Sequence, residues 1–106
     1  MSAPRVAIVG DGKMGRAVAD LARERGWTVT ALIGINENER GRGLTRDRLG
    51  DTDAVIEFTE PTAAPANILA AARAGYPVVT GTTGWADELE RVTKTVLDLQ
   101  GALVHA

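Results

Sequence analysis

The stretch RVAIVGDGKMGRAVADLARERGWTVTALI, residues 5–33, decides the fold. At its centre Gly10-Asp11-Gly12-Lys13-Met14-Gly15 fits the pattern G-x-G-x-x-G. Alone that pattern is common; between a strand and a helix it is informative. Residues 5–9 are a short apolar run, as in strands buried on both faces of a parallel sheet. Residues 13–25 repeat Met14, Ala17, Val18, Leu21 and Ala22 at helical spacing, with Arg16, Asp20, Arg23 and Glu24 facing out. Gly26 stands where a left-handed residue ends a helix, and the β-branched run 28–33 is a second strand. In this setting each glycine has a task. Gly10 turns the chain out of the strand, Gly12 lets the backbone approach a diphosphate with no Cβ between, and Gly15 lets the helix lie close on the sheet. The helix N-terminus offers free N–H groups and the positive end of its dipole. Gly10, Asp11, Gly12, Lys13, Met14 and Gly15 are therefore read as cofactor-binding residues, a ligand-free glycine turn being the alternative. The Asp11 carboxylate is expected to point away from the pyrophosphate, which it would repel.

Outward from this unit, the polar, Gly- and Arg-rich residues 34–51 read as a loop, and 54–58 as a third strand. Thr62 is placed to cap a helix running to Ala74, with Pro65 in its first turn and Gly75 and Pro77 ending it. Residues 78–80 form the fourth strand. Residues 88–99 form a third helix, with Asp87 and Glu88 favourably placed at its start and Leu89, Val92, Val96 and Leu99 as its buried stripe. Gly101 stops it, and 102–105 begin a fifth strand. Strands alternating with helices give an α/β domain, a Rossmann-type doubly wound parallel sheet of order 2-1-3-4-5 covering residues 1–106. The chain ends at Ala106 on the last strand, before the loop that would enter the ligand crevice. A chain truncated before a further domain is expected.

Twelve Lys and Arg against fourteen Asp and Glu give a net charge of −2, with none of the basic excess that a nucleic-acid partner calls for. The absence of cysteine excludes disulfides, thiolate catalysis and Cys-based zinc sites. No apolar run reaches membrane-span length and no signal peptide opens the chain, so a cytoplasmic enzyme with a small-molecule substrate is expected. His105, the single histidine, reads as a strand residue, and no metal site is expected.

A carboxylate about 20 residues after the glycines normally holds the ribose of NAD. Here the second strand ends in Ile33 and Gly34, with no acid, and Glu37 follows between Asn36 and Asn38. Arg40 and Arg42 read first as solvated loop charges; as partners of a 2′-phosphate they would tilt the choice toward NADPH. NADPH or NADH therefore both stand. Two later strand ends lie on the crevice side by topology: Phe58-Thr59-Glu60-Pro61 and Gly81-Thr82-Thr83-Gly84-Trp85. Thr82 and Thr83 can hydrogen-bond a ribose or carboxamide, and Gly81 can admit the nicotinamide; equally, these are turns serving their own backbone. Glu57, an acid inside an apolar strand, reads first as structural and second as functional, and Trp85 as packing the third helix on the sheet.

Residues 10–16 (GDGKMGR), 55–61 (VIEFTEP) and 81–85 (GTTGW) together resemble the 4-hydroxy-tetrahydrodipicolinate reductase family in content, order and spacing. The resemblance covers essentially the whole chain; its first motif is shared by many dehydrogenases, the other two are more specific. It implies an NADH- or NADPH-dependent reductase of diaminopimelate and lysine biosynthesis. It implies that Gly10 to Gly15 hold the pyrophosphate, Phe58 lies by the cofactor, and Gly81, Thr82 and Thr83 line the nicotinamide end. Similar short members carry a ribose-binding acid where this chain has Gly34, and that departure leaves the NAD preference open. The family's substrate domain, with a His-His pair, a lysine and a Pro-Ser-Gly-Thr stretch, has no counterpart here, so no catalytic residue is assigned. The family's usual tetramer is built largely through that domain, and this chain alone is expected to be inactive and monomeric. The alternatives are a stand-alone non-catalytic NAD(P)-binding module and another amino-acid-pathway dehydrogenase.

Overall fold

The computed structural model describes residues 3–105; Ala106, on which the expectation about the chain's end falls, lies outside them. Strands β1 (Arg5–Val9), β2 (Thr28–Ile33), β3 (Ala54–Glu57), β4 (Val78–Thr80) and β5 (Leu103–His105) form one sheet. Its order is β2-β1-β3-β4-β5, all parallel, the Rossmann-type arrangement expected from the alternation of elements. Helices α1 (Lys13–Glu24), α2 (Arg46–Leu49), α3 (Ala64–Arg73) and α4 (Ala86–Asp98) connect the strands. β1 pairs with β2 on one side and β3 on the other, so the winding reverses there and a crevice opens beyond Val9.

The pleat sends alternate side chains to opposite faces. Ala7, Val9, Ala31, Ile33, Val55 and Val78 join Ile68, Val92 and Val96 in the main core, beneath α3 and α4. Val6 and Ile8 face the other way and are buried where α1 packs on β1 and β2. On that second face Ile8, Ile56, Val79 and Val104 form a row of register partners. Cover thins along it: Ile8 is fully buried, Ile56 half-buried, and Val79 and Val104 are 39% and 62% exposed.

Several local expectations shift. The buried line of α1 runs through Gly15, Ala19 and Ala22, whereas Met14, Ala17 and Leu21 are exposed. Small residues let this helix sit close on the sheet, which turns the larger apolar side chains outward. Thr62 does not cap α3. The chain enters that helix through a turn in which the Ala63 and Ala64 amides donate to the Glu60 carbonyl, and Pro65 occupies the first turn as expected. α4 starts at Ala86, two residues early, and Leu99, beyond its last turn, is exposed. The left-handed residue that ends α4 is Gln100, at φ 59°, not Gly101. Gly101 sits in a tight place: a Cβ there would come within 3.1 Å of Val96 Cγ1.

Residues 34–51 are not the plain loop expected. They form two 3₁₀ turns, Ile35–Glu37 and Glu39–Gly41, and then α2, capped by the Thr45 hydroxyl accepting the Arg48 amide at 3.2 Å. Leu44 and Leu49 pin the segment into the core. Tyr76 fastens it from below, donating its hydroxyl to the Gly50 carbonyl at 2.6 Å.

Candidate functional site

The crevice is built from strand ends brought together by the sheet. Gly10 leaves β1 at φ +111°, a conformation that L side chains rarely adopt, and donates to the Ile33 carbonyl at 2.8 Å. The three glycines of the loop have different surroundings. A Cβ at Gly10 would stand 1.8 Å from the Phe58 carbonyl oxygen, and one at Gly15 would stand 1.7 Å from the Gly10 carbonyl oxygen. At Gly12 a Cβ would meet nothing within 4 Å. The outer two are packed by the protein, and the middle one faces open space. Gly12 is also the N-cap of α1 and makes no side-chain cap hydrogen bond, so the first-turn amides of the helix face outward unserved by a cap. Such amides suit a diphosphate. The residues present therefore fit a dinucleotide.

An open cavity of about 390 Å³ lies over this loop. Gly10, Asp11, Gly12, Lys13, Met14 and Gly15 line it with Gly34 and Phe58, so eight of the sequence-derived candidates meet in one place. Ile35, Asn38, Thr59, Glu60 and Asn67 also line it, and sequence reading did not single them out as site residues. Thr82 and Thr83 instead line a second hollow of about 240 Å³, together with Trp85 and His105. Gly81 lies under the Phe58 ring, where a Cβ would come within 1.9 Å of Cε1. Phe58 is thus fitted between two glycines, its carbonyl over Gly10 and its ring over Gly81.

Beneath the cavity runs a buried polar chain. Asn38 Oδ1 accepts the Gly43 amide at 3.0 Å, and Asn38 Nδ2 donates to Asn67 Oδ1 at 2.9 Å. Asn67 Nδ2 donates to Thr59 Oγ1 at 3.3 Å, and the Thr59 hydroxyl donates to Glu57. The Glu57 carboxylate, 1% exposed, accepts the hydroxyls of Thr80 at 2.6 Å and Thr82 at 2.8 Å. The Thr82 hydroxyl oxygen in turn accepts the Thr59 amide at 2.8 Å, and the Thr82 carbonyl accepts the Trp85 indole at 2.7 Å. Thr82 is therefore committed to the protein, while Thr83 is exposed and free to meet a ligand. A fully buried carboxylate is tolerated here because hydroxyl donors surround it.

The charged residues lining the cavity are Asp11, Lys13 and Glu60. Arg40 lines a groove on the outer side of α3, beside Pro61 and Arg73, and neither Arg40 nor Arg42 lines the cavity. Glu37 pairs with Arg48 at 3.1 Å, and that hydrogen bond is the main reason its carboxyl is held below the ordinary carboxylate range. Among the described residues no cluster of His, Cys, Asp or Glu is arranged to hold a metal ion. Among them, too, no helix is long and apolar enough to cross a membrane.

Residues 4–105 match the family model described as "Dihydrodipicolinate reductase, N-terminus". Three similar curated proteins are each named 4-hydroxy-tetrahydrodipicolinate reductase. The protein of Bifidobacterium animalis subsp. lactis is 41% identical over 85 residues, which cover 79% of this chain and 32% of that one. That of Acinetobacter baumannii is 31% identical over 105 residues, 82% of this chain and 38% of that one. That of Christiangramia forsetii is 26% identical over 101 residues, 95% of this chain and 40% of that one. The chain thus spans between 32% and 40% of the length of these relatives.

Proposed function

This chain belongs to the dihydrodipicolinate reductase N-terminal family, and we propose that it is the cofactor-binding part of an NAD(P)H-dependent 4-hydroxy-tetrahydrodipicolinate reductase. The whole enzyme reduces 4-hydroxy-tetrahydrodipicolinate to tetrahydrodipicolinate in diaminopimelate and lysine biosynthesis. The observation that carries this reading is the open Gly12 position at the uncapped start of α1, inside a cavity lined by the whole glycine loop.

The residues divide the work. Gly10, Asp11, Gly12, Lys13, Met14 and Gly15 take the pyrophosphate, their backbone amides and the α1 dipole meeting its charge. The Lys13 ammonium adds a cation at the cavity wall. Phe58, set by Gly10 and Gly81, gives the nicotinamide end a flat apolar support. Thr83 offers the free hydroxyl there, and Thr82 holds the Gly81–Thr83 turn by its bonds to Glu57 and the Thr59 amide. The nicotinamide, when bound, supplies the hydride. The groups that bind and protonate the substrate belong to a substrate domain outside this chain, so no catalytic residue is assigned among these 106 residues. The full-length enzyme acts in the cytoplasm on a small molecule and assembles as a homotetramer through that other domain, and this chain alone is an inactive monomer.

The test is turnover by a full-length protein that carries this domain. It is expected to oxidise NADH or NADPH only when 4-hydroxy-tetrahydrodipicolinate is supplied. Oxidation that ignores the substrate, or none with it present, overturns the proposal.

A further inference from the structure

We infer that Asp11 supplies the ribose-reading carboxylate that the end of β2 lacks, and that this chain consequently takes NADH in preference to NADPH. The inference rests on the dinucleotide reading of the cavity and adds a selectivity residue to it. In sheets of this kind the acid that holds the adenine ribose stands at the carboxyl end of the second strand. Here that position is Gly34, which has no side chain. Its backbone does not call for glycine, since φ −91° and ψ 167° is extended geometry open to any residue. A Cβ on Gly34 would lie 2.5 Å from Asp11 Oδ2 and 3.0 Å from Asp11 Cγ. The Asp11 carboxylate fills the volume into which a side chain at position 34 would project. It reaches there from the glycine loop rather than from β2.

Asp11 and Gly34 both line the cavity, next to Ile35, which is 77% exposed and offers an apolar surface for an adenine ring. A carboxylate at this point accepts hydrogen bonds from both hydroxyls of a ribose diol. A 2′-phosphate removes one of those donors and sets a second negative charge against the first. Arg48 is engaged by Glu37, and Arg40 lies in the groove outside α3. Arg16 gives its Nε to the Asp11 backbone carbonyl at 2.6 Å. Lys13, the lining cation, sits at the start of α1 on the diphosphate side.

The experiment is a calorimetric titration of the 106-residue chain with NADH and with NADPH, for the wild type, Asp11→Asn, Asp11→Ala and the pair Asp11→Ala/Gly34→Asp. The wild type is expected to bind NADH more tightly, by on the order of tenfold. Asp11→Asn and Asp11→Ala should erase that gap by weakening NADH, and the pair should restore it by returning a carboxylate to the same volume from β2. If the single variants bind dinucleotide with the wild-type NADH-to-NADPH ratio, or the wild type prefers NADPH, the role of Asp11 is wrong while the site stands. If the wild type binds neither dinucleotide, the site itself is wrong, and the selectivity falls with it.

Discussion

Glu57 and Thr82 are joined across the ends of β3 and β4 at 2.8 Å, the Thr82 hydroxyl donating to the carboxylate while its oxygen accepts the Thr59 amide. One buried acid thereby gathers Thr59, Thr80 and Thr82 beneath the turn that leaves β4. Replacing it by an apolar residue strands those hydroxyls. Glu57→Leu is expected to cost about 3 kcal/mol of unfolding free energy, and Glu57→Gln about 1 kcal/mol because one acceptor oxygen survives. Urea unfolding monitored by circular dichroism measures both, and equal losses for the two would show that the hydroxyl network is not what Glu57 holds.

Two glycines of one loop should behave in opposite ways. At Gly12 the structure has room for a Cβ, and the proposed dinucleotide needs that room, so Gly12→Val is expected to change the melting temperature little and weaken dinucleotide binding at least about a hundredfold. At Gly15 a Cβ would press on the Gly10 carbonyl, so Gly15→Ala is expected to cost about 1–3 kcal/mol of stability. Thermal melts and titrations on the same preparations separate the two.

Gly81→Ala puts a methyl 1.9 Å from the resting position of the Phe58 ring. The ring has to leave, and only the nicotinamide half of the ligand should notice. Affinity for ADP is expected to hold while affinity for the full dinucleotide falls about tenfold. Adding Phe58→Leu, which shortens the side chain, should recover part of the loss. Equal weakening of ADP and dinucleotide would place the damage in the glycine loop instead.

Glu37 gives a pH signature. Its folded-state pKa lies below the ordinary value of 4.5, chiefly through the Arg48 hydrogen bond. A depressed carboxyl pKa stabilises the fold above the unfolded value, and the contribution drains away as pH falls through the folded value. The pair is exposed to solvent, so the effect is small. Arg48→Gln should raise the Glu37 pKa, read by carbon-detected NMR titration. Wild type and variant should differ in stability near neutrality and converge in acid, once the Arg48 cap contact at Thr45, which is backbone only, is common to both.

The sheet order and the glycine loop were legible because both are local. A short apolar run, three glycines at fixed spacing and an amphipathic segment lie within residues 5–33, and backbone geometry does the rest. What escaped was long-range. Asn38 meets Asn67 across 29 positions, and Asp11 fills the space at Gly34 across the β1–β2 pairing; neither leaves a pattern in the chain. The turn that starts α3 misled for a different reason. Thr62 has the chemistry of a cap, but the Glu60 carbonyl had already taken the Ala63 and Ala64 amides. Leu44 and Leu49, two apolar residues in a polar stretch, were the available sign that residues 34–51 fold back into the core.

The row from Ile8 to Val104 has a consequence for handling the domain in solution. Among the described residues β5 stands at one edge of the sheet, with an apolar side chain, Val104, 62% exposed on its face. An edge of that kind recruits like edges, and protein concentration sets how often they meet. Stickiness of the isolated chain should therefore reside at β5, and Val104→Lys should keep concentrated samples clear without touching the cavity, which lies beyond the ends of β1, β2 and β3.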